Sequence, residues 1–396
     1  MQHDQNNQKE FDFSLVLGGP LYQLYRRTRL VRPALELLKR RIIVICLLAW
    51  LPLLALTLIE GTALGGIRVP FLFDLDTHIR FLLSLALLIA AELVVHQRIR
   101  IVVAQFIERD IITPENRKKF DAIIDSSMRL RNSVTAEVLL LILIFTLGHW
   151  IWTQFVALHV ATWYATPLSN NQVQFTLAGF WYAFVSVPIY QFILLRWYFR
   201  LFVWYRFLWQ VSRLPLNLNA LHPDHNAGLG FLSQSVYAFT PVLLAHTILL
   251  SGLIANRIWH ANATLPDFKF EIAAMLILLC ALIILPLSFF IVRILNAKLD
   301  GLRGYGAVAS QYVDHFYLKW IGTPHYEKKS LIGSPDIQSL ADLSHSFNVV
   351  RETYLIPVGW NQLIRLIIVI ICPLLPLVFT MIPLEQIIER LVKTLL

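Results

Sequence analysis

Glu92, His96 and Arg100 stand four residues apart in a stretch that is otherwise almost wholly apolar. That spacing puts all three on one face of a helix. An ionisable group inside an apolar helix is costly, so it marks a candidate site, and Glu92 is expected to be protonated or paired. A carboxylate and an imidazole one turn apart form a candidate proton or ion path, and His149 and His246 are further histidines in apolar runs. The competing reading is a polar pin between helices, with Arg100 snorkelling back to the membrane surface.

A second cluster is the loop His222-Pro223-Asp224-His225-Asn226-Ala227-Gly228-Leu229-Gly230. Proline, asparagine and two glycines call for a tight turn. Three readings stay open for it. The N–H groups opening the following helix would suit an anion or a lipid head group. His222, Asp224 and His225 would suit a divalent metal or a proton. Asp224 and Asn226 would simply cap the helix. His-Pro-Asp also marks the chaperone-activating J-domain loop, but that loop sits between soluble helices and this one does not.

Enzyme signatures are missing. There is no P-loop, no G-x-S-x-G and no H-E-x-x-H, since Ala91 stands where a histidine would precede Glu92. Gly301…Gly304…Gly306 does not follow a strand, so it is no dinucleotide fingerprint. No catalytic residue, cofactor or nucleic-acid partner is called for.

The elements that hold these residues are membrane helices. The 396 residues are 57% hydrophobic and 15% charged, with mean hydropathy +0.61. Soluble domains are about 45–50% apolar and about 25% charged, so a soluble enzyme is excluded. The aromatic content excludes a disordered chain. Three cysteines, all in apolar runs, exclude a disulfide scaffold.

A span needs about 20 apolar residues. Segments 42–60, 79–101, 137–159, 176–196, 235–256 and 270–293 qualify. A seventh, 364–383, carries Pro373 and Pro376 and either spans with a kink or turns back as a re-entrant segment. The fold expected is therefore an all-α polytopic transmembrane bundle of seven spans, or six plus a re-entrant segment. With the N-terminus inside, 28 of the 34 Lys and Arg fall in inner segments. The positive-inside rule then makes the N-terminus cytoplasmic. Asn262-Ala263-Thr264 is a glycosylation sequon on the outer side.

Residues 1–41 form a basic N-terminal segment, and 42–293 the six-span bundle. The bundle includes a cytoplasmic helical loop at 97–136 and the motif loop at 211–234. A cytoplasmic helical segment follows at 294–363, then a kinked span and amphipathic tail at 364–396. Thr113-Pro114-Glu115 and Ser334-Pro335-Asp336 read as helix starts. Phe120, Ile123, Ile124 and Met128 make one apolar stripe, and Ile337, Leu340, Leu343, Phe347 and Val350 another. Such stripes suit a neighbouring helix, a second copy of the chain or a cytoplasmic protein. Residues 196–210, with eight aromatics and three arginines, read as an interfacial anchor.

The chain resembles a family of uncharacterised bacterial multi-pass membrane proteins. The likeness rests on His222–Asp224 with Gly228–Leu232, on Asp336–Leu343, and on the proline-broken stretch Pro373–Pro383. It covers the C-terminal half best and departs at His225-Asn226-Ala227. The resemblance implies a bacterial inner membrane and no activity. The function expected is a channel or transporter for a small ion or lipid-like solute. The alternative is a non-catalytic membrane subunit that binds a cytoplasmic partner. Membrane lipids of an anionic inner leaflet are expected neighbours.

Overall fold

A computed structural model describes residues 13–28, 37–148, 162–167, 173–261, 263–322 and 335–381. His149, Asn262, Ser334 and the tail beyond 381 lie outside the described residues. Pro20–Arg27 is α1, Leu38–Ile59 is α2 and Leu75–Glu108 is α3. Arg117–Arg131 is α4 and Val134–Gly148 is α5. A small antiparallel hairpin pairs β1 (Ala165–Pro167) with β2 (Val173–Phe175), Thr166 opposite Gln174. Leu177–Ser212 is α6, Thr240–Ala261 α7, Leu265–Trp320 α8, Pro335–Arg351 α9 and Trp360–Val378 α10.

Six of these helices, α2, α3, α6, α7, α8 and α10, are long and apolar enough to cross a membrane. A seventh span arises if α4 and α5, bent by 43° at their junction, are taken together. The chain is thus an all-α polytopic bundle and a multi-pass membrane protein. Leu47, Leu48, Leu51, Leu82, Leu83 and Ile277 stay exposed on the spans, as a lipid-facing surface requires.

The two ends of the bundle differ. A basic end gathers residues 13–28, 109–117, 213–230 and 351–359, tied by Asn217 N–H to Ile111 O and Tyr354 N–H to His225 O. The far end gathers residues 60–74, the hairpin and 256–265, tied by Trp163 N–H to Val69 O and His260 Nε2 to Phe73 O. At that far end Asp74 accepts from Thr77 at the head of α3, from the Trp163 indole at 2.8 Å and from the Asn256 amide at 3.0 Å. One carboxylate therefore caps a helix and fastens the hairpin and α7 to it.

Several expectations are corrected. Thr113 gives no side-chain cap: its hydroxyl accepts from the Asn116 amide, and a 3-10 turn at Pro114–Asn116 precedes α4. The helix that holds the 270–293 span runs on within α8 to Trp320, into the expected helical segment 294–363. Residues 196–210 are only partly an interfacial anchor. Tyr198, Phe202 and Trp209 are exposed, whereas Trp197, Trp204 and Phe207 are fully buried and Arg196 and Arg200 nearly so. That segment packs against α4 and the 3-10 turn Leu285–Phe290 within α8, so half of its aromatic face is core. The Leu340, Leu343, Phe347 and Val350 stripe of α9 packs on α8 within the chain, leaving Ile337 exposed.

Gly179 lies where the start of α6 meets the hairpin, and a Cβ there would sit 1.9 Å from the Tyr164 carbonyl oxygen. Gly179→Ala should cost about 1–3 kcal/mol because backbone has to shift. Gly304→Ala, in an exposed part of α8 with open space around it, should be neutral or stabilise by up to about 1 kcal/mol. Thermal midpoints in detergent check the pair; equal shifts would contradict the packing described.

Candidate functional site: a buried ionic hub

Glu92 is paired, not protonated in isolation. Arg41, in the first turn of α2, places Nη2 2.7 Å from Glu92 Oε2. From α6, Arg200 Nη2 donates to Glu92 Oε1 at 2.7 Å, and Arg196 Nη1 lies 4.0 Å from the same oxygen. Arg196 turns its Nε to Glu137 of α5 at 3.3 Å, and Glu137 Oε2 accepts from the Leu21 N–H of α1 at 3.0 Å. Five charged side chains from four helices, α2, α3, α5 and α6, thus meet in one place and hold α1 against it. All five are buried, Arg41 at 0% exposure.

Three guanidiniums face two carboxylates, so the hub carries one surplus positive charge. Arg41 approaches Glu92 as an ion pair without hydrogen-bond geometry, and its Nε and Nη1 are buried with no hydrogen-bond partner among the described residues. The Tyr25 ring lies under Arg41 at 5.3 Å, and the Trp197 ring under Arg200 at 4.7 Å. Burial, and after it the negative charge of Glu92, push the Tyr25 phenol up to about 12, against the opposing pull of the three arginines. Tyr25 is therefore a neutral lining of the hub at physiological pH.

The other expected members fall nearby. His96 Nδ1 meets the Ser14 hydroxyl at 2.9 Å, which ties the N-terminal segment to α3. Arg100 is half-buried one turn further on. Arg41 sits at the basic end of α2, so its contact sets Glu92 at that level rather than at the bundle centre. His246 is apart from the hub, bonded to Tyr198 at 2.6 Å.

Toward the far end α3 carries further buried polar contacts, interrupted at the apolar Leu88. Asp76 and Arg80 pair at 2.6 Å, Arg80 donates to the Tyr182 hydroxyl at 3.3 Å, and Ser84 meets the Tyr190 hydroxyl at 2.9 Å. The Leu88 carbonyl accepts from the Trp197 indole at 2.9 Å. The polar side chains of Asp76, Arg80, Ser84, Glu92 and His96 are spread over about 30 Å of α3 at 1.5 Å per residue, with Leu88 contributing only its carbonyl. The partners lie mostly on α6. Two π-helical turns, Ile79–Ser84 and Tyr182–Ser186, meet through the Arg80–Tyr182 contact; such turns recur at functional sites.

The His222–Gly230 loop has a different geometry. Asp224 Oδ1 accepts from the Asn226 N–H at 2.8 Å and the Gly228 N–H at 3.1 Å, and Oδ2 from the Gly230 N–H at 2.8 Å. The amides offered by the sequence to an anion are thus taken by the chain's own carboxylate. His225 and Ala227 both adopt positive φ, a conformation that this three-pronged carboxylate holds in place. His222 Nδ1 is 3.0 Å from Asp224, but His225 turns toward Tyr354 instead. Among the described residues no three His, Cys, Asp or Glu converge as metal ligands.

The arginines of the hub are the residues that sequence reasoning missed. Arg41, Arg196 and Arg200 count there as topological or snorkelling charges. Their signal was available: Arg196 and Arg200 are four apart, the spacing of Glu92 and His96, in an equally apolar run.

Structure and site together define an all-α polytopic membrane protein with an ionic hub inside the bundle. No family model matches the chain, and no curated protein or solved structure matches it.

Glu92→Gln keeps the shape but leaves the guanidiniums uncompensated. It should destabilise the bundle by about 3–5 kcal/mol, the cost of stranding a buried charge. Denaturant midpoints in detergent micelles check this, and a variant as stable as wild type would contradict the pairing.

Proposed function

We propose that the protein is a membrane transport protein for a small anionic solute, with the α3–α6 seam as its path. The observation that carries this is the series of buried polar side chains Asp76, Arg80, Ser84, Glu92 and His96 of α3, spread over a length comparable to a hydrocarbon core and interrupted at Leu88. Polar groups buried at such depth are expensive and mark solute or ion pathways in membrane bundles. The surplus positive charge at the hub repels cations and favours anions, and Arg41 Nε and Nη1, buried without a hydrogen-bond partner among the described residues, are donors that an anion reaches only when the seam opens. This narrows the small-ion or lipid-like solute expected from sequence. The basic end faces the cytoplasm of a bacterial inner membrane in this reading. The support is the distribution of Lys and Arg, which stays one-sided when the buried arginines are set aside.

A second reading has its own observation. Beyond the apolar part of α8, the hairpin of α8 and α9 leaves Val308, Val313, Tyr317, Leu318 and Ile321 exposed. Such a surface suits a partner protein, which is the membrane-subunit alternative.

Liposomes holding the full chain decide between them. The transport reading expects an imposed chloride or thiocyanate gradient to collapse faster than in protein-free vesicles, with a potassium gradient unaffected. Anion gradients that persist as in empty vesicles would overturn it and leave the partner-binding reading.

A further inference from the structure

Beyond its apolar part α8 continues to Trp320 and packs along α9 as a two-helix hairpin. Leu302, Tyr305, Ala309, Tyr312 and Phe316 of α8 are half-buried, at spacings of three and four, and so are Leu340, Leu343 and Phe347 of α9. The Tyr312 hydroxyl donates to the Asp336 carbonyl at 2.9 Å, and the Trp320 indole to its carboxylate at 3.0 Å. Yet among the described residues the fully buried side chains of this hairpin are Ile294 and Val350, both at its base. Helices in water are held mainly by burying an apolar face, and this seam is left half open.

A second stripe of the same period runs along α8: Gly306, Ser310, Val313, Tyr317 and Ile321. At 3.6 residues per turn it lies about 90° around the helix from the first. On α9, Ile337, Ala341 and Ser344 stand about 100° from the seam with α8, in the same rotational sense. The two helices run antiparallel, so equal offsets bring both stripes to one side of the hairpin. On that side Val313 is 50%, Tyr317 54%, Ile321 65% and Ile337 43% exposed. Apart from Val308, the opposite side is mainly polar, with Gln311, His315 and Lys319 of α8 and Asp342 and Ser346 of α9.

Three features fit a second copy of the chain as the occupant. In a four-helix bundle each helix touches two neighbours, which needs two seams about a quarter turn apart, and both helices carry them; two hairpins supply the four helices. Neither free stripe holds a charged residue, so identical faces meet without like-charge repulsion. Copies in one membrane also share an orientation, so a two-fold axis between them runs along the membrane normal and equivalent residues stand at one level. Tyr312 and Trp320 both bond Asp336, which sets Val313 and Tyr317 level with Ile337. The exposed apolar residues of α8 in one copy thus face that of α9 in the other.

We propose that two copies of this chain pair through the Val313–Tyr317–Ile337 side of the hairpin and close it into a four-helix bundle. The proposal names the occupant of the exposed α8–α9 surface and does not rest on the α3–α6 path.

The test is cross-linking in membranes between two differently tagged full-length chains, one carrying Val313→Cys and the other Ile337→Cys, so that only a bond between copies joins the tags. The chain's own cysteines, Cys46, Cys280 and Cys372, lie in the spans. Mild oxidation should join the two tags, whereas His315→Cys, on the opposite side, should not join to Ile337→Cys. No joined product, or as much from His315→Cys, would overturn the proposal. Mass photometry in detergent gives the second measurement. The chain should be a dimer, and Val313→Glu with Ile337→Glu, both at exposed positions of the single chain, should raise its dissociation constant about tenfold or more. A monomeric wild type, or a variant that stays as dimeric as wild type, would overturn it. Chloride flux is read separately in liposomes, so a monomer that still conducts overturns this pairing and leaves the transport reading standing.

Discussion

The bundle depends on the contact of one carboxylate with arginines from two other helices. Glu92 reaches α2 through Arg41 and α6 through Arg200, and Arg196 extends the linkage to Glu137 of α5 and the α1 backbone. Lipid tails are as apolar as leucine, so apolar contact alone discriminates poorly among helix arrangements in a membrane. A buried ion pair is directional and costly to break. It is weak evidence for net stability but strong reason for one register of the helices around it. Moving α2 or α6 by one turn would strand charge in a low-dielectric interior.

Other features follow from that register. With Glu92 facing α6, Arg80 and Ser84 before it find polar partners on α6 and α7, the Leu88 carbonyl accepts from the Trp197 indole of α6, and Asp76 pairs with Arg80 of its own helix. Ser84, for example, donates to the Ala245 carbonyl of α7 at 2.8 Å. Trp197 and Trp204 are carried inward with Arg196 and Arg200 because they share the same helix face. The N-terminal segment is held because Ser14, through His96, and Leu21, through Glu137, end on hub residues or their neighbours. The far end has its own anchor in Asp74, which organises the α3 start, the hairpin and α7 in one contact set.

The membrane helices were legible in the sequence because hydropathy and length alone specify them. All seven expected spans have a helical counterpart over their described residues, and the extra length of α3, α6 and α8 lies in flanks that hydropathy does not score. The Glu92–His96 face was legible from spacing. The partners were not, because an arginine near the end of an apolar run reads the same whether it snorkels outward or pairs inward. Only the position of the acidic group on another helix decides, and that is a tertiary fact. The Asp224 loop shows the converse. The residue types were right for a turn, but backbone amides that look available in sequence were consumed by a side chain six residues or fewer away.

The central claim, that Glu92 and Arg200 act as one unit, is tested most directly by a double-mutant cycle. Unfolding free energies are compared for wild type, Glu92→Gln, Arg200→Gln and the double variant in the same detergent. If the hub is as described, the double variant loses less than the sum of the singles by about 2 kcal/mol or more, because removing both partners strands less charge. Losses that add within about 0.5 kcal/mol would mean the two side chains do not interact, and would contradict the account.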